Sequence, residues 1–204
     1  HTAINAVATG MVRAALVITP EYTTPQFSFR DRDSHFIFGD ATSAVVIQRA
    51  DDVAAGKGFD VLGIRATTQF SNNIRSEFGF LNRFEQPPRD PREFLFMQEG
   101  RKVYKEVVPF ASELMLGHLQ DLGIAQSDIK RLWLHQANAG MDTLIAKRVL
   151  GHEPTADELP IILGEYGNTA SAGSIVAFHN HHRDLQAGAT GLICAFGAGH
   201  SAGT

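Results

Sequence analysis

The chain has 204 residues, of which 44% are hydrophobic and 20% charged, and a formal net charge of −4. That is enough apolar material for a sizeable core, so one or two globular domains are expected. The near-balanced charge and the absence of a long basic run argue against nucleic acid or an anionic membrane as the main partner. No stretch approaches the roughly 18 consecutive apolar residues of a membrane span.

A single cysteine, Cys194, rules out an internal disulfide, which fits a reducing cytosol. The chain opens at His1 without an initiator methionine and enters patterned sequence at once. The expectation is a piece of a longer polypeptide that extends at least beyond this N-terminus.

In chain order, residues 2–10 place small and apolar residues at helical spacing and stop at Gly10. "RAALVIT" (13–19) is a continuous apolar run, which predicts a strand covered on both faces. "EYTTPQFSFRDRDS" reads as a polar loop around Pro25. "HFIFGD" and "SAVVIQRA" (35–50) predict two strands about a Gly-Asp turn, and "FDVLGIRATTQF" a third after the connector "DDVAAGKG". Residues 71–92, with the proline-rich "RFEQPPRDPR", predict a long loop. Helical spacing holds over 93–123, interrupted at Gly100 and Pro109 and closed by Gly123. A strand over 130–135 and a helix over 139–150 come next, then the linker "GHEPTADELP". A helix over about 172–186 and a last strand over 190–196 complete the pattern. Alternating strands and helices, with most strands continuously apolar, indicate an α/β protein whose sheets are covered by helices.

Several stretches carry candidate chemistry. In "RLWLHQANAG" (131–140), His135 stands where a strand hands over to a helix, the place where α/β folds build ligand crevices. Its imidazole can exchange a proton near neutral pH, or it can be a structural ring bonded to a main-chain carbonyl. Asn138, just before the helix, reads as an N-cap. In "EYGNTASAGS" (165–174), Asn168 can cap the next helix or aim its carboxamide into a cleft as a fixed donor.

"FGAGHSAG" (196–203) has dinucleotide-loop glycines but lacks the helix and acidic residue that such a loop needs. A glycine turn at a strand end can instead direct a main-chain N–H at an oxyanion. Cys194, inside "GLICAF", reads as a buried and inert thiol. "HNHH" (179–182) reads as a solvated helix face rather than a metal site.

The order of four of these stretches is more specific than any one of them. "FGDATSAVV", "LHQAN", "YGNTASAGS" and "FGAGHSAG" together resemble the C-terminal part of β-ketoacyl-acyl-carrier-protein synthase III, a thiolase-like condensing enzyme, over essentially the whole chain. The resemblance implies a five-layered αβαβα fold of two similar halves, of which this chain is the C-terminal part. Residues 1–55 would finish the first half and residues 56–204 would form the second. It implies an acyltransferase of fatty acid biosynthesis. The reaction would be a decarboxylative Claisen condensation of an acyl group from acyl-CoA with a malonyl thioester, malonyl-acyl-carrier protein.

His135 and Asn168 match the family's catalytic histidine and asparagine. Ala198 matches the position whose main-chain N–H helps form the oxyanion hole. Arg32 aligns with an arginine that contacts the nucleotide end of coenzyme A, and Asn138 with a residue lining the pantetheine tunnel. As carbon dioxide leaves, negative charge builds on the thioester oxygen, and an imidazole N–H with a carboxamide N–H would stabilise it. An aspartate at 168 would repel that charge.

The nucleophilic cysteine of the family would lie upstream of His1, so this segment is not competent alone. "RAALVI" would be the edge strand of a homodimer. Coenzyme A thioesters and phosphopantetheine carriers are substrates, and no cofactor or metal is implied; the setting is the cytoplasm.

Gly140 stands where the family commonly has an arginine that docks the carrier protein or the coenzyme A phosphate, with Lys147 and Arg148 on the following helix. "NTASAGS" departs from the commoner "NTSAAS". The loop 83–92 matches no usual form and would border the acyl pocket. Two alternatives are a thiolase-fold relative with another acyl acceptor or a hydrolytic outcome, and a non-catalytic C-terminal fragment that contributes a dimer surface.

Overall fold

The structure, a computed structural model, describes residues 1–31, 35–54, 57–76 and 91–204. Helix α1 (Thr2–Ala8) leads into an antiparallel pair, β1 (Ala14–Glu21) and β2 (Ala41–Gln48), whose register runs from Ala14 opposite Gln48 to Glu21 opposite Ala41. A separate four-stranded sheet has the order β3 (Ala66–Thr68), β8 (Ser201–Gly203), β7 (Thr190–Gly197), β6 (Ile129–Leu134). Within it β6 and β7 run parallel, and β8 runs antiparallel to both of its neighbours. A short pair, β4 (Ile74–Arg75) with β5 (Met97–Gln98), stands apart.

The β6–β7 pair explains its own sequence. Leu132 and Leu134 of β6, with Leu192, Cys194 and Phe196 of β7, pack on one face against α2 (Gly100–Leu122) and α3 (Ala139–Leu150). On the other face Trp133 packs with Ile162 and with Ala177 of α5 (Gly173–Asn180). Both faces are covered, so both alternating sets are largely buried, and the one buried charged member, Arg131, is paired with Asp184. Helix α2 supplies Val103, Val107, Ala111, Met115 and Leu119 at four-residue spacing, and α3 supplies Met141, Ile145 and Val149 in the same way. Gly123, at φ +67, ends α2 in the left-handed conformation that glycine adopts without a Cβ clash.

Other expectations are corrected. Residues 35–37 form a turn rather than a strand, and Phe38 makes only an isolated bridge. The strand expected over 59–70 shrinks to β3. Residues 74–75 and 97–98 pair as strands where a loop and a helix were expected, and α2 begins at Gly100. Pro109 lies inside α2 without ending it. The last helix stops at Asn180, and β8 follows the glycine turn.

The largest difference is β1. It has the predicted apolar run, but Leu16 and Ile18 expose 61% and 55% of their surface, so it is not covered on both faces by this chain. Arg32 and residues 83–90 of the loop expected at the acyl pocket lie outside the described residues.

Candidate active site

His135 follows directly on β6. Its N–H donates to the Cys194 carbonyl (2.8 Å) and its own carbonyl accepts from Ala137 (2.9 Å), so the ring leaves the sheet at a tight corner. The ring meets Phe196 edge-on, with centroids 4.9 Å apart. Burial pulls its pKa from 6.5 down to about 4; the nearby main chain of Ala170 and the charge of Glu21 act in the opposite direction. The ring is therefore neutral at neutral pH.

Asn168 is brought to the same place by main-chain pairing across a long sequence separation. It bridges Phe38 in parallel fashion: its N–H donates to the Ile37 carbonyl (2.7 Å), and its carbonyl accepts from the Gly39 N–H (3.0 Å). Gly39 permits this approach, because a Cβ there would lie 2.0 Å from the Tyr166 carbonyl oxygen. The "FGD" stretch thus seats Asn168, while its Asp40 accepts from the N–H groups of Thr23 (2.7 Å) and Thr24 (2.9 Å) and fixes the turn after β1.

Asn168 is buried, and its Oδ1 accepts from the Ala170 N–H (3.0 Å). That bond orients the carboxamide and leaves its NH₂ as the group to present, since no described residue accepts from it. Ala170 is thus common to both candidates. Its N–H holds Asn168, its main chain lies near the His135 ring, and it does so at φ +47, a conformation a residue with a Cβ rarely adopts.

Ala198 opens the turn after β7, ahead of that turn's first internal hydrogen bond, so its N–H is left available. The turn passes through Gly199 (φ +72) and His200 (φ +49). His200 is buried beside Glu106, whose carboxylate accepts from Asn73 (2.8 and 2.9 Å) and Ser71 (2.9 Å). These hydrogen bonds hold the Glu106 carboxyl below its ordinary range.

Asn138 caps α3, its Oδ1 accepting from Gly140 (3.0 Å) and Met141 (3.2 Å), as the cap reading expects. Cys194 is fully buried; burial first, and the nearby Asp142 second, push its thiol up to about 12, so it is not a nucleophile. In "HNHH", His182 stacks on Phe178, and no group of three metal-ligating side chains exists among the described residues. None of the described helices is long and apolar enough to cross a membrane.

Sequence reading missed three contributors. Gln136 is fully buried and bridges the Leu134 carbonyl (3.1 Å) and the Ile162 N–H (2.9 Å), tying the site corner to the segment before Asn168. Its signal was present, as an amide between a buried strand and a helix. Ala170 and Glu21 had none, because their roles depend on backbone conformation and on long-range contact.

The chain matches two family models, "3-Oxoacyl-[acyl-carrier-protein (ACP)] synthase III" over residues 1–67 and its C-terminal counterpart over residues 119–204. It is 50% identical over its whole length to a β-ketodecanoyl-[acyl-carrier-protein] synthase of Pseudomonas aeruginosa. Over 200 residues, 96% of the chain, it is 31% identical to a β-ketoacyl-[acyl-carrier-protein] synthase III of Vibrio vulnificus. The chain spans 58% of the length of each of these relatives.

Among solved structures, the 3-oxoacyl-[acyl-carrier-protein] synthase III of Aquifex aeolicus superposes with a TM-score of 0.82 at 22% identity, covering 99% of this chain and 60% of that one. The priming β-ketosynthase of the R1128 polyketide pathway superposes at 0.81 and 24% identity, covering 99% and 59%. These likenesses identify the αβαβα thiolase-like fold, of which the chain forms the C-terminal part. With both family models matched in order and the fold shared, the chain belongs to the β-ketoacyl-acyl-carrier-protein synthase III family.

Proposed function

We propose that the protein is an acyltransferase of fatty acid biosynthesis that condenses an acyl group, taken from acyl-CoA onto a cysteine upstream of His1, with malonyl-acyl-carrier protein. The observation that carries this reading is the seating of Asn168: the Ala170 N–H fixes its Oδ1 and leaves its NH₂ to donate, and the same main chain lies near the neutral His135 ring. Two neutral side chains at neighbouring turns suit the stabilisation of a single developing oxyanion. Preorganised donors of this kind are each worth about 3 kcal/mol of transition-state stabilisation.

In this mechanism the acyl group resides on the upstream cysteine, and the Ala198 N–H supports its carbonyl oxygen. The malonyl thioester then loses carbon dioxide, and the electron pair of the broken C–C bond passes into the thioester as an enolate. His135 and Asn168 each donate to the enolate oxygen while the enolate carbon attacks the acyl carbonyl, expelling the cysteine thiolate. Donation by a neutral ring requires its proton on the nitrogen that faces the oxygen. The depressed pKa of His135 keeps the ring from charging over the working range. Arg32 is assigned to the coenzyme A nucleotide, Asn138 to the pantetheine path, and the open edge of β1 to a homodimer in the cytoplasm. Residues 1–55 and 56–204 are assigned to the two halves of the fold.

The name of the P. aeruginosa relative describes a ten-carbon product. Two of those carbons come from malonate, so an eight-carbon primer is the chain length to test first here.

In the full-length protein, His135→Ala or Asn168→Ala should abolish malonyl-thioester decarboxylation while sparing acyl transfer to the cysteine, followed by mass shift. Nitrogen-15 shifts of His135 should place the proton on the outward nitrogen. A doubly substituted enzyme that still decarboxylates would overturn the assignment.

A further inference from the structure

We propose that Glu21 is a positioning residue of this site, holding the Asn168–Ser171 loop against His135 through Ser171. The inference rests on the roles proposed above for His135 and Asn168. Glu21 is the last residue of β1, and its Oε1 accepts from both the N–H (3.2 Å) and the hydroxyl of Ser171. Ser171 directly follows Ala170, whose N–H holds the Asn168 carboxamide and whose main chain lies near the His135 ring.

A left-handed alanine costs roughly 1 kcal/mol and persists only where its surroundings fix it on both sides. Upstream, the fixing comes from the pairing of Asn168 with Ile37 and Gly39. Downstream, Glu21 is the side chain that grips the loop. Both restraints come from the β1–β2 part of the chain, whereas His135 belongs to the β6–β7 sheet. Glu21 therefore determines how the carboxamide delivered by one part of the molecule sits relative to the imidazole delivered by the other.

In "NTASAGS" the hydroxyl at position 171 is the one Glu21 holds, and position 170 carries no polar side chain. Ala170 then engages the site through its main chain alone.

The test uses the full-length protein with Glu21→Ala, Glu21→Gln and Ser171→Ala. Glu21→Ala should lower kcat for malonyl-thioester decarboxylation by about tenfold or more, the scale of loss from small misplacements of catalytic groups. KM and acyl transfer to the cysteine should stay within about twofold, since neither depends on this loop's orientation. Glu21→Gln keeps an acceptor oxygen for both Ser171 donors and should recover most of the rate.

Ser171→Ala should fall between the two, because the main-chain N–H bond remains. Adding it to Glu21→Ala should cost nothing further. Independently of turnover, hydrogen exchange at the Ala170 and Ser171 amides should speed up in Glu21→Ala and not in Glu21→Gln. Unchanged exchange and an unchanged kcat in Glu21→Ala would overturn the proposal. So would a glutamine variant as impaired as the alanine one, since charge and not the tether would then be at work. A wild-type enzyme that does not decarboxylate would defeat the enolate reading alone, and the exchange data would still decide whether Glu21 holds the loop.

Discussion

Strands β1 and β6 are both apolar runs, yet Leu132 and Leu134 are fully buried whereas Leu16 and Ile18 stand more than half exposed. The difference lies in their neighbours. Strand β6 is sandwiched by α2 and α3 on one side and α5 on the other, all from this chain. Strand β1 pairs with β2 along one edge, and much of its surface has no such layer. A continuous apolar run thus records that a strand is meant to be covered, and says nothing of what does the covering. Hydrophobic stabilisation is concentrated around the β6–β7 pair, and His135 is mounted on that rigid frame. The restraints on Asn168 come from the more weakly covered β1–β2 side.

That contrast can be broken most directly by truncation. Leu132→Ala should destabilise this chain by about 3 kcal/mol in denaturant melts, with its cavity in a closed core, whereas Ile18→Ala should change it by no more than about 0.5 kcal/mol. Equal sensitivity at the two positions would remove the distinction.

Acidification sharpens the picture at the site itself. The unfolded state takes up a proton at His135 below about pH 6.5 that the folded ring refuses until about pH 4. Stability present above pH 6.5 should therefore drain away across that window by about 3 kcal/mol, and His135→Asn should flatten the slope. His118, whose pKa is also lowered by burial, leans the same way.

Asp142 in α3 has the opposite sign. It is fully buried, neither carboxylate oxygen has a partner among the described residues, and burial raises its pKa well above the ordinary range. Its contribution is greatest in acid and is lost as pH rises toward the folded pKa. Asp142→Asn should remove that loss and stabilise the protein at pH 8 by about 1 kcal/mol, read from chemical denaturation. The smallest effect expected is at Asn138. Replacing this cap by alanine should cost about 1 kcal/mol or less of stability, measured as a shift in Tm.

How much was legible in the sequence follows the same division. Strand β6, helix α3 with its Asn138 cap, and the Gly123 stop were readable because local patterning and local covering agree there. The strand expected at 35–40 was not, because its partner is Asn168, far along the chain, and one bridge replaces a ladder. Helix α2 passes through Pro109 because packing along the buried face outweighs a lost hydrogen bond. At the site, His135 and Asn168 could be singled out as polar residues at turns. Their meeting at Ala170 could not, because a positive φ at an alanine leaves no trace in composition or spacing.

The bridge between Phe38 and Asn168 has a kinetic consequence. It joins residues about 130 positions apart, while β6, α3 and β7 assemble from nearer segments, and long closures are entropically the slowest to form. On refolding, helical content and tryptophan burial should return first, and the carboxamide should reach its partner ring only afterwards. The protein would pass through a well-packed state in which the Phe38–Asn168 bridge is still open.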